Sequence, residues 1–205
     1  MEAEELLRRY AAGERNFAGV DLSNAERDAE LTGADLSSIN LSNSNLSCTE
    51  LSGANLSGAN LTYADLRFTN LTYANLTYAN LSYALLDAAD LTYADLSSAN
   101  LGNAMASDNT CECANFSGAN LSNAAFNESS LNGANFSGDN LTGVRLHQSG
   151  LYGANLSNTD LNGADLSGAI LDEASLTGAK NAELSQAWLS NTIMPDGSIA
   201  NKTNM

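Results

Sequence analysis

The chain has 205 residues, a length that fits one domain. Its formal net charge is −16. The acidic charge disfavours non-specific binding to nucleic acid or anionic membranes, because like charges repel. No apolar run reaches the roughly 20 residues of a membrane span, and Glu2, Glu4 and Glu5 after Met1 are unlike a signal peptide. The sequence therefore predicts a cytoplasmic protein, unless a targeting peptide has been removed.

Cysteine and histidine are scarce, which bears on disulfides and metals. The chain has three cysteines and one histidine. Cys111 and Cys113 are too close in sequence for an easy bridge, and a C-x-C pair is not a zinc-ligand spacing. We expect no disulfide framework, no metal site and no cofactor.

Residues 1–14 predict a short capping helix. Ala3, Leu6, Leu7 and Tyr10 recur at helical spacing, and Gly13 is placed to end the helix. A helix of about ten residues is not stable alone. We therefore expect its apolar stripe to cover the open end of the unit that follows.

Residues 15–180 are organised by a period of five. After a break in register around residues 26–28, the period holds from Leu31 to Leu176 over 30 consecutive positions, of which 25 are Leu and three are Phe. Neither a helical stripe nor a long alternating strand has this period. The predicted core of this repeat includes Leu56, Leu61, Leu66, Leu71, Leu76, Leu81, Leu86, Leu91, Leu96, Phe116, Phe126 and Phe136.

One repeat, Ala74 to Tyr78, illustrates the local prediction. Ala74 and Leu76 alternate with Asn75 as inward and outward residues of a three-residue strand do. The next two residues must then turn the chain, and small polar residues at these positions suit a turn. One large and one small inward residue per repeat fill a narrow interior.

The tandem A-[D/N]-L-[S/T/R]-x pattern resembles the pentapeptide-repeat family, and the flanking segments ELLRRYAAGERNF and TIMPDGS resemble those of cyanobacterial members. The resemblance implies an all-β solenoid, a right-handed quadrilateral β-helix with four repeats per coil of about twenty residues. Residues 15–180 would then form roughly seven to eight coils. Side chains twenty residues apart should stack directly on one another.

The repeat is irregular over Gly102–Asn115, where Ala106 and Cys111 replace leucine and Asn109 replaces the small inward alanine. One interpretation is a locally irregular face with Cys111 as a small buried hydrophobe. The other is a bulged loop, including Cys113, that binds a partner or senses oxidation. Asp139 is a second oddity, since a buried carboxylate needs hydrogen-bond partners or a shifted pKa.

Residues 181–205 predict a C-terminal cap and tail. The register resumes out of phase at Leu184 and Leu189, and Trp188 and Ile193 precede a Pro-Asp-Gly turn. We expect these larger side chains to cover the last coil and the residues from Ile199 onward to be mobile.

The outward aromatic residues are the main functional clue. Six of them occupy the second position after a leucine: Tyr63, Phe68, Tyr73, Tyr78, Tyr83 and Tyr93. Tyr83 should stack on Tyr63, and Tyr93 on Tyr73. Such stacks either strengthen the ladder or form a protein-binding belt.

The acidic residues suggest the chemistry of a partner. One predicted face carries Glu30, Glu50, Asp90, Glu112, Asp172 and Glu173 together with Tyr73, Tyr93 and Tyr152. This face either keeps the protein soluble or recognises a basic partner surface.

These patterns favour a non-catalytic protein–protein interaction module with a regulatory role, since no catalytic motif occurs and a filled core leaves no active-site cavity. We expect a protein partner, no nucleic acid or membrane partner, and a monomer rather than a dimer. The resemblance implies an alternative, because some family members are DNA mimics that inhibit type II topoisomerases. A purely structural scaffold is the third hypothesis.

Overall fold

The structure is a computed structural model that describes residues 1–23 and 31–202. The break in register expected around residues 26–28, and Glu30 of the acidic face, lie outside the described residues. The elements are one helix, α1 (Ala3–Ala11), a long stack of short bridges, and two terminal strands, β1 (Leu189–Ile193) and β2 (Ile199–Lys202).

Helix α1 packs on the first coil of the stack. Ala3 and Leu6 are buried in the same cluster as the repeat leucines, and Tyr10 donates a hydrogen bond from its hydroxyl to the Ser37 carbonyl at 2.8 Å. Glu4 and Glu5 lie in the first turn and Arg8 and Arg9 in the last, so their charges interact favourably with the helix dipole. Tertiary packing thus supplies the stability that such a short helix lacks.

Parallel bridges twenty residues apart connect successive coils. Asp35 pairs with Asn55, Asn55 with Asn75 and Asn75 with Asp95, and bridges with the same offset recur every five residues. Four bridges per twenty residues give each coil four sides. Each side is too short to count as a regular strand, because a turn follows every bridge.

Each corner is a tight turn whose third residue is left-handed. In the repeat that starts at Leu76, the Ala79 N–H donates to the Leu76 carbonyl at 3.0 Å, and Tyr78 has φ of 59°. Positive φ at this position alone is the signature of a type II turn, which favours Gly or Asn there. The same residue is Gly at 53, 58, 133 and 153, each with positive φ.

The outward Asn or Asp that precedes many of the leucines stabilises both the turn that follows it and the stacking of successive coils. The Asn75 Oδ1 accepts the Thr77 N–H at 3.1 Å, while the Asn75 Nδ2 donates to the Asn55 Oδ1 of the preceding coil at 3.2 Å. Asn100, Asn120 and Asn140 form a similar ladder on another side. These bonds explain why Asn and Asp predominate at this position of the repeat.

Leucine and phenylalanine fill the interior from end to end. All twelve residues of the predicted core are at most 1% exposed: Leu56, Leu61, Leu66, Leu71, Leu76, Leu81, Leu86, Leu91, Leu96, Phe116, Phe126 and Phe136. The rings of Phe116 and Phe136 stack at 4.9 Å between centroids, and Phe126 meets Phe116 edge to face at 5.8 Å. Most of the alanines two residues before the large residues are buried too.

The irregular segment Gly102–Asn115 stays in register, so the hypothesis of a bulged loop is wrong. Thr110 pairs with Ser130 at the usual offset of twenty residues. Ala106 and Cys111 are fully buried, and Phe126, twenty residues after Ala106, supplies bulk beside this small residue. Burial raises the pKa of the Cys111 thiol, which opposes oxidation chemistry, whereas Cys113 is an exposed corner residue.

Two buried polar side chains replace inward alanines. The Asn109 Oδ1 accepts the Ala89 N–H at 2.8 Å, and the Asp139 Oδ1 accepts the Ala119 N–H at 3.0 Å. Within the described chain, the Asn109 Nδ2 and the Asp139 Oδ2 have no hydrogen-bond partner. Burial raises the pKa of Asp139 to about 8 although the Ala119 amide opposes the shift, so the carboxyl is protonated near neutral pH.

The two ends of the stack depart from the twenty-residue coil. Asp21 pairs with Asn45 at an offset of 24, and Ile170 pairs with Trp188 at an offset of 18. Parallel bridges continue as far as Ile193. The chain then turns, and β2 pairs antiparallel with β1. The expected mobility from Ile199 onward is therefore wrong for Ile199–Lys202, which are fixed by this pairing.

Replacing Leu76 by alanine should destabilise the protein by ~2–5 kcal/mol, because the substitution opens a cavity in a filled interior. Leu85→Ala is a matched control, since Leu85 faces outward and is only partly buried. It should cost less than ~1 kcal/mol. The measurement is the free energy of unfolding in denaturant, and equal losses in the two variants would contradict the inward placement of Leu76.

Asp139→Asn should remove a pH dependence of stability. The raised native pKa means that the folded state keeps a proton that the unfolded state, with a pKa of about 3.9, has lost. Stability of the natural chain should therefore fall as pH rises from about 4 to about 8, by at most about 1.4 kcal/mol per pH unit. The introduced amide cannot ionise, so the variant should be more stable at the upper end of this range.

Denaturant melts of both proteins between about pH 5 and pH 8 provide the measurement for this prediction. The exposed carboxyls of Asp35, Asp160 and Asp196 have lowered pKa values, because each accepts hydrogen bonds, so they titrate below this window. Identical slopes in the two proteins would show that Asp139 is ionised in the folded state.

Candidate interaction surfaces

The six outward aromatic residues all lie at corners with left-handed backbone. Their φ values are between 58° and 60°, and their side chains are 47% to 74% exposed: Tyr63, Phe68, Tyr73, Tyr78, Tyr83 and Tyr93. An L-residue in this conformation costs roughly 1–2 kcal/mol relative to a right-handed one. The sequence pattern indicated that these residues face outward, but it did not indicate this cost.

Four of the aromatic residues form two stacked pairs. The Tyr63 and Tyr83 ring centroids are 4.9 Å apart with planes at 15°, and those of Tyr73 and Tyr93 are 5.1 Å apart at 12°. The predicted stacking is thereby confirmed. Phe68 and Tyr78 occupy the other two corners of the same coil, so the aromatic residues encircle the rod.

The two stacked pairs point to opposite sides. Tyr63 and Tyr73 are ten residues apart, which is half of a twenty-residue coil, so their corners are diagonally opposed. A single flat partner surface therefore cannot cover both pairs. The six aromatic residues therefore lie on more than one side of the rod.

Acidic side chains surround the Tyr73–Tyr93 pair. Glu112 is next to Tyr93 in the following coil, where the Tyr93 N–H donates to the Glu112 carbonyl at 2.9 Å. Asp90 lies three residues before Tyr93, and Glu50 pairs with Asn70 on the same side of the rod. We call these five residues, Tyr73, Tyr93, Glu50, Asp90 and Glu112, the acidic edge.

Apolar side chains lie beside the Tyr63–Tyr83 pair. Leu85 and Met105 pair with each other at outward positions that hold Asn or Asp in most repeats, and Met105 is 48% exposed. The signal for them was present in the sequence, since Leu85 and Met105 break the A-[D/N]-L pattern. The structure thus adds an apolar neighbourhood that the sequence interpretation missed.

Two acidic residues of the predicted face, Asp172 and Glu173, lie farther along the rod together with Tyr152. Tyr152 is exposed, and a hydrogen bond between the Tyr152 and Glu173 side chains raises the pKa of the Tyr152 hydroxyl. Asp172 is beside Glu173 on that coil. Because successive coils are twenty residues apart, these residues lie well beyond the coils next to Tyr93 and do not join the acidic edge.

Residues with metal-ligand chemistry are dispersed. Over residues 1–23 and 31–202, no group of three or more His, Cys, Asp or Glu side chains is placed to hold a metal ion. The His147 Nδ1 lies 2.8 Å from the Ser167 Oγ, which gives this ring a polar neighbour on the surface. No helix in the described part of the chain is long and apolar enough to cross a membrane.

Tyr78→Gly tests whether the corner aromatics stabilise the fold. Glycine adopts positive φ without the steric cost, and Tyr78 is 74% exposed, so we expect stability to stay level or rise by up to about 1 kcal/mol. Tyr152→Gly is the matched control, because Tyr152 is exposed without positive φ. The control should lose about 0.5–1 kcal/mol of stability in a denaturant melt. A larger loss in Tyr78→Gly would show that the aromatic residue stabilises the fold.

Comparison with known proteins identifies the family. A sequence profile described as pentapeptide repeats (8 copies) matches five overlapping or adjacent segments, residues 27–62, 49–87, 69–104, 111–148 and 149–180. No curated protein sequence matches the chain.

Solved structures of pentapeptide repeat proteins are also similar. HetL, a pentapeptide repeat protein involved in heterocyst differentiation regulation from the cyanobacterium Nostoc sp. strain PCC 7120, is 32% identical over 98% of this chain and 100% of HetL, with a TM-score of 0.35. QnrB1, a plasmid-mediated fluoroquinolone resistance protein, is 17% identical over 86% of this chain and 90% of QnrB1, with a TM-score of 0.57. This second likeness concerns the fold alone.

The family match covers well over half of the chain and coincides with the bridged coils. It confirms the resemblance read from the A-[D/N]-L-[S/T/R]-x pattern. The chain belongs to the pentapeptide repeat family.

Proposed function

We propose that the chain is a non-catalytic protein-binding module, a rigid acidic rod that presents its outward aromatic residues to another protein. The observation that carries the proposal is the exposure of these residues. Six aromatic side chains that are 47% to 74% exposed lie at successive corners of neighbouring coils. Other corners with the same left-handed backbone hold mostly glycine or small polar residues, and aromatic side chains are enriched in protein interfaces.

The rigidity of the rod supports this function. Backbone bonds link every coil to the next, as in the Leu76 N–H to Asp95 carbonyl bond of 2.7 Å, and large side chains fill the interior. A pre-organised surface loses little conformational freedom on binding, so more of the contact energy appears as affinity. Exposed tyrosines are enriched in protein interfaces for the same reason, since they give large contact area with few rotatable bonds.

We also propose the handedness, the number of coils and the boundaries of the fold. The coils would wind as a right-handed quadrilateral β-helix of seven to eight turns over residues 15–180, with residues 1–14 as a cap and residues 181–205 as a terminal unit. The fold of QnrB1, which is similar over 86% of this chain, supports such a β-helix. Free thiols at Cys111 and Cys113 fit a reducing compartment such as the cytoplasm.

Mimicry of duplex DNA, the alternative function, has less support from the surface. A duplex mimic needs regular tracks of negative charge that copy the phosphates. Neutral amides occupy one outward column, where Asn100, Asn120 and Asn140 form a hydrogen-bonded ladder. Asn115, Asn135 and Asn155 do the same on an adjoining side. Inhibition of DNA gyrase supercoiling by this chain would favour the alternative.

The capture of a partner tests the proposed function. We expect the combined variant Tyr63→Ser, Tyr73→Ser, Tyr83→Ser, Tyr93→Ser to lose a protein that the natural chain captures from native cell extract and that mass spectrometry identifies. Loss of two or more aromatic anchors should weaken binding to the purified partner at least about tenfold, since anchor residues each contribute ~1–2 kcal/mol or more.

Tyr152→Ser is the control for this capture, because Tyr152 is exposed to a similar extent but lies outside the encircling coils. Undiminished capture by the fourfold variant would exclude the aromatic residues as the binding surface. A regulatory role would follow if the activity of the purified partner changes on binding.

A further inference from the structure

Two stacked tyrosine pairs with nearly the same geometry lie in different electrostatic surroundings. Tyr73 and Tyr93 are 65% and 52% exposed, and Tyr63 and Tyr83 are 56% and 47% exposed. The ring separations differ by only 0.2 Å. Any difference in what the two pairs bind must therefore come from their neighbours.

The acidic edge is rich in negative charge, and within residues 1–23 and 31–202 none of its carboxylates is in an ion pair. The sequence has no lysine or arginine between Arg67 and Arg145, an interval that contains seven Asp and Glu residues. Asp65, on the side of the Tyr63–Tyr83 pair, is instead paired with Arg67 at 2.6 Å. Two of these seven, Asp90 and Glu112, belong to the acidic edge, and Glu50 adds a third carboxylate there.

Neutral groups hold the three carboxylates of the acidic edge in place. The Asn70 Nδ2 donates to the Glu50 Oε2 at 2.8 Å, and the Thr92 N–H donates to the Asp90 Oδ1 at 2.9 Å. The Ser130 Oγ donates to the Glu112 Oε1 at 3.1 Å. These bonds orient the carboxylates without cancelling their charge, so each keeps its second oxygen for a ligand.

We propose that the acidic edge recognises an arginine-rich segment of the protein partner, an assignment that rests on the proposed function. A guanidinium group is flat, stacks on the face of a tyrosine ring and donates paired hydrogen bonds to a carboxylate. The acidic edge offers both kinds of contact side by side. The rings of Tyr73 and Tyr93 offer faces for stacking, and Asp90 and Glu112 offer carboxylates that accept hydrogen bonds. A lysine ammonium is a more strongly hydrated point charge and uses only part of this arrangement.

The N-terminal region of the chain shows the same chemistry within the molecule. The Arg9 guanidinium pairs with the Glu14 carboxylate and lies 5.3 Å from the centroid of the Phe17 ring. The Arg15 guanidinium lies 3.8 Å from the centroid of the Tyr10 ring. The fold thus accommodates guanidinium groups between aromatic rings and carboxylates on its own surface.

The test uses a fluorescein-labelled peptide of alternating arginine and glycine, with fluorescence anisotropy at physiological salt as the readout. Tyr73→Ser with Tyr93→Ser should weaken binding by roughly 5- to 30-fold, as expected for the loss of two cation–π contacts. Tyr63→Ser with Tyr83→Ser is the matched control and should change binding less than about twofold. Both variants keep the net charge, so long-range attraction to the acidic rod is the same in each.

Three further measurements complete the design. A peptide with citrulline in place of arginine has nearly the same shape without the charge, and it should not bind. The lysine–glycine peptide should bind more weakly than the arginine–glycine peptide. The variant Glu50→Gln, Asp90→Asn, Glu112→Gln keeps the hydrogen-bond acceptors, and it should weaken binding and flatten its dependence on salt.

Equal losses from the two tyrosine variants, or equal binding of the citrulline peptide, would overturn the assignment. Such a result leaves the proposed function standing if the fourfold tyrosine variant still loses the captured partner. Conversely, undiminished capture by that variant would refute the proposed function, whichever peptide the edge binds. Thermal melts of every variant exclude unfolding as the cause of a loss.

Discussion

A left-handed residue at the third position of each turn constrains the whole chain. It lets the backbone change direction every five residues, so that twenty residues complete one four-sided coil and the next coil stacks on it through parallel bridges. Each turn joins two adjoining sides of the coil. The large residue that begins the turn and the small residue that ends it both point inward, so each repeat places one large and one small side chain in the interior. The filled interior, the Asn ladders and the corner side chains all depend on this geometry.

The constraint also separates stability from recognition. Inward residues and outward amides are engaged in packing and hydrogen bonds between coils, so they have little freedom to vary. The side chain of the corner residue points away from the interior, and its backbone must adopt positive φ and donate its N–H to the next coil. An aromatic residue at a corner is therefore unfavourable for the backbone, but it projects a large rigid group from a fixed point. The surface can thus acquire binding groups without any change in the interior.

Much of this fold could be predicted from the sequence because one pattern is repeated in phase. The period of five identified the inward leucines. The resemblance to the family added the coil of four repeats, and the stacking of Tyr83 on Tyr63 then follows from counting twenty residues. The end of the chain could not be predicted in the same way. The pairing of Ile199–Lys202 with β1 depends on a turn outside the repeat, and the segment Gly102–Asn115 keeps its register because bridges on both sides hold it.

The neighbours of each tyrosine pair depend on side chains twenty residues apart, so the contrast between the acidic edge and the apolar Leu85–Met105 side emerged only from the stacked coils.

A photo-cross-linking experiment tests most directly whether the corner aromatics contact a partner. Benzoylphenylalanine, an aromatic residue of similar shape, would replace in turn Tyr63, Phe68, Tyr73 and Tyr78, which are the four corners of one coil, and Tyr152 as a distant control. If the acidic edge binds the partner as proposed, irradiation in native extract should cross-link one protein from Tyr73 most strongly and from the diagonally opposite Tyr63 least. Cross-links from Tyr152 alone, or from none of the four corners, would contradict this account of the molecule.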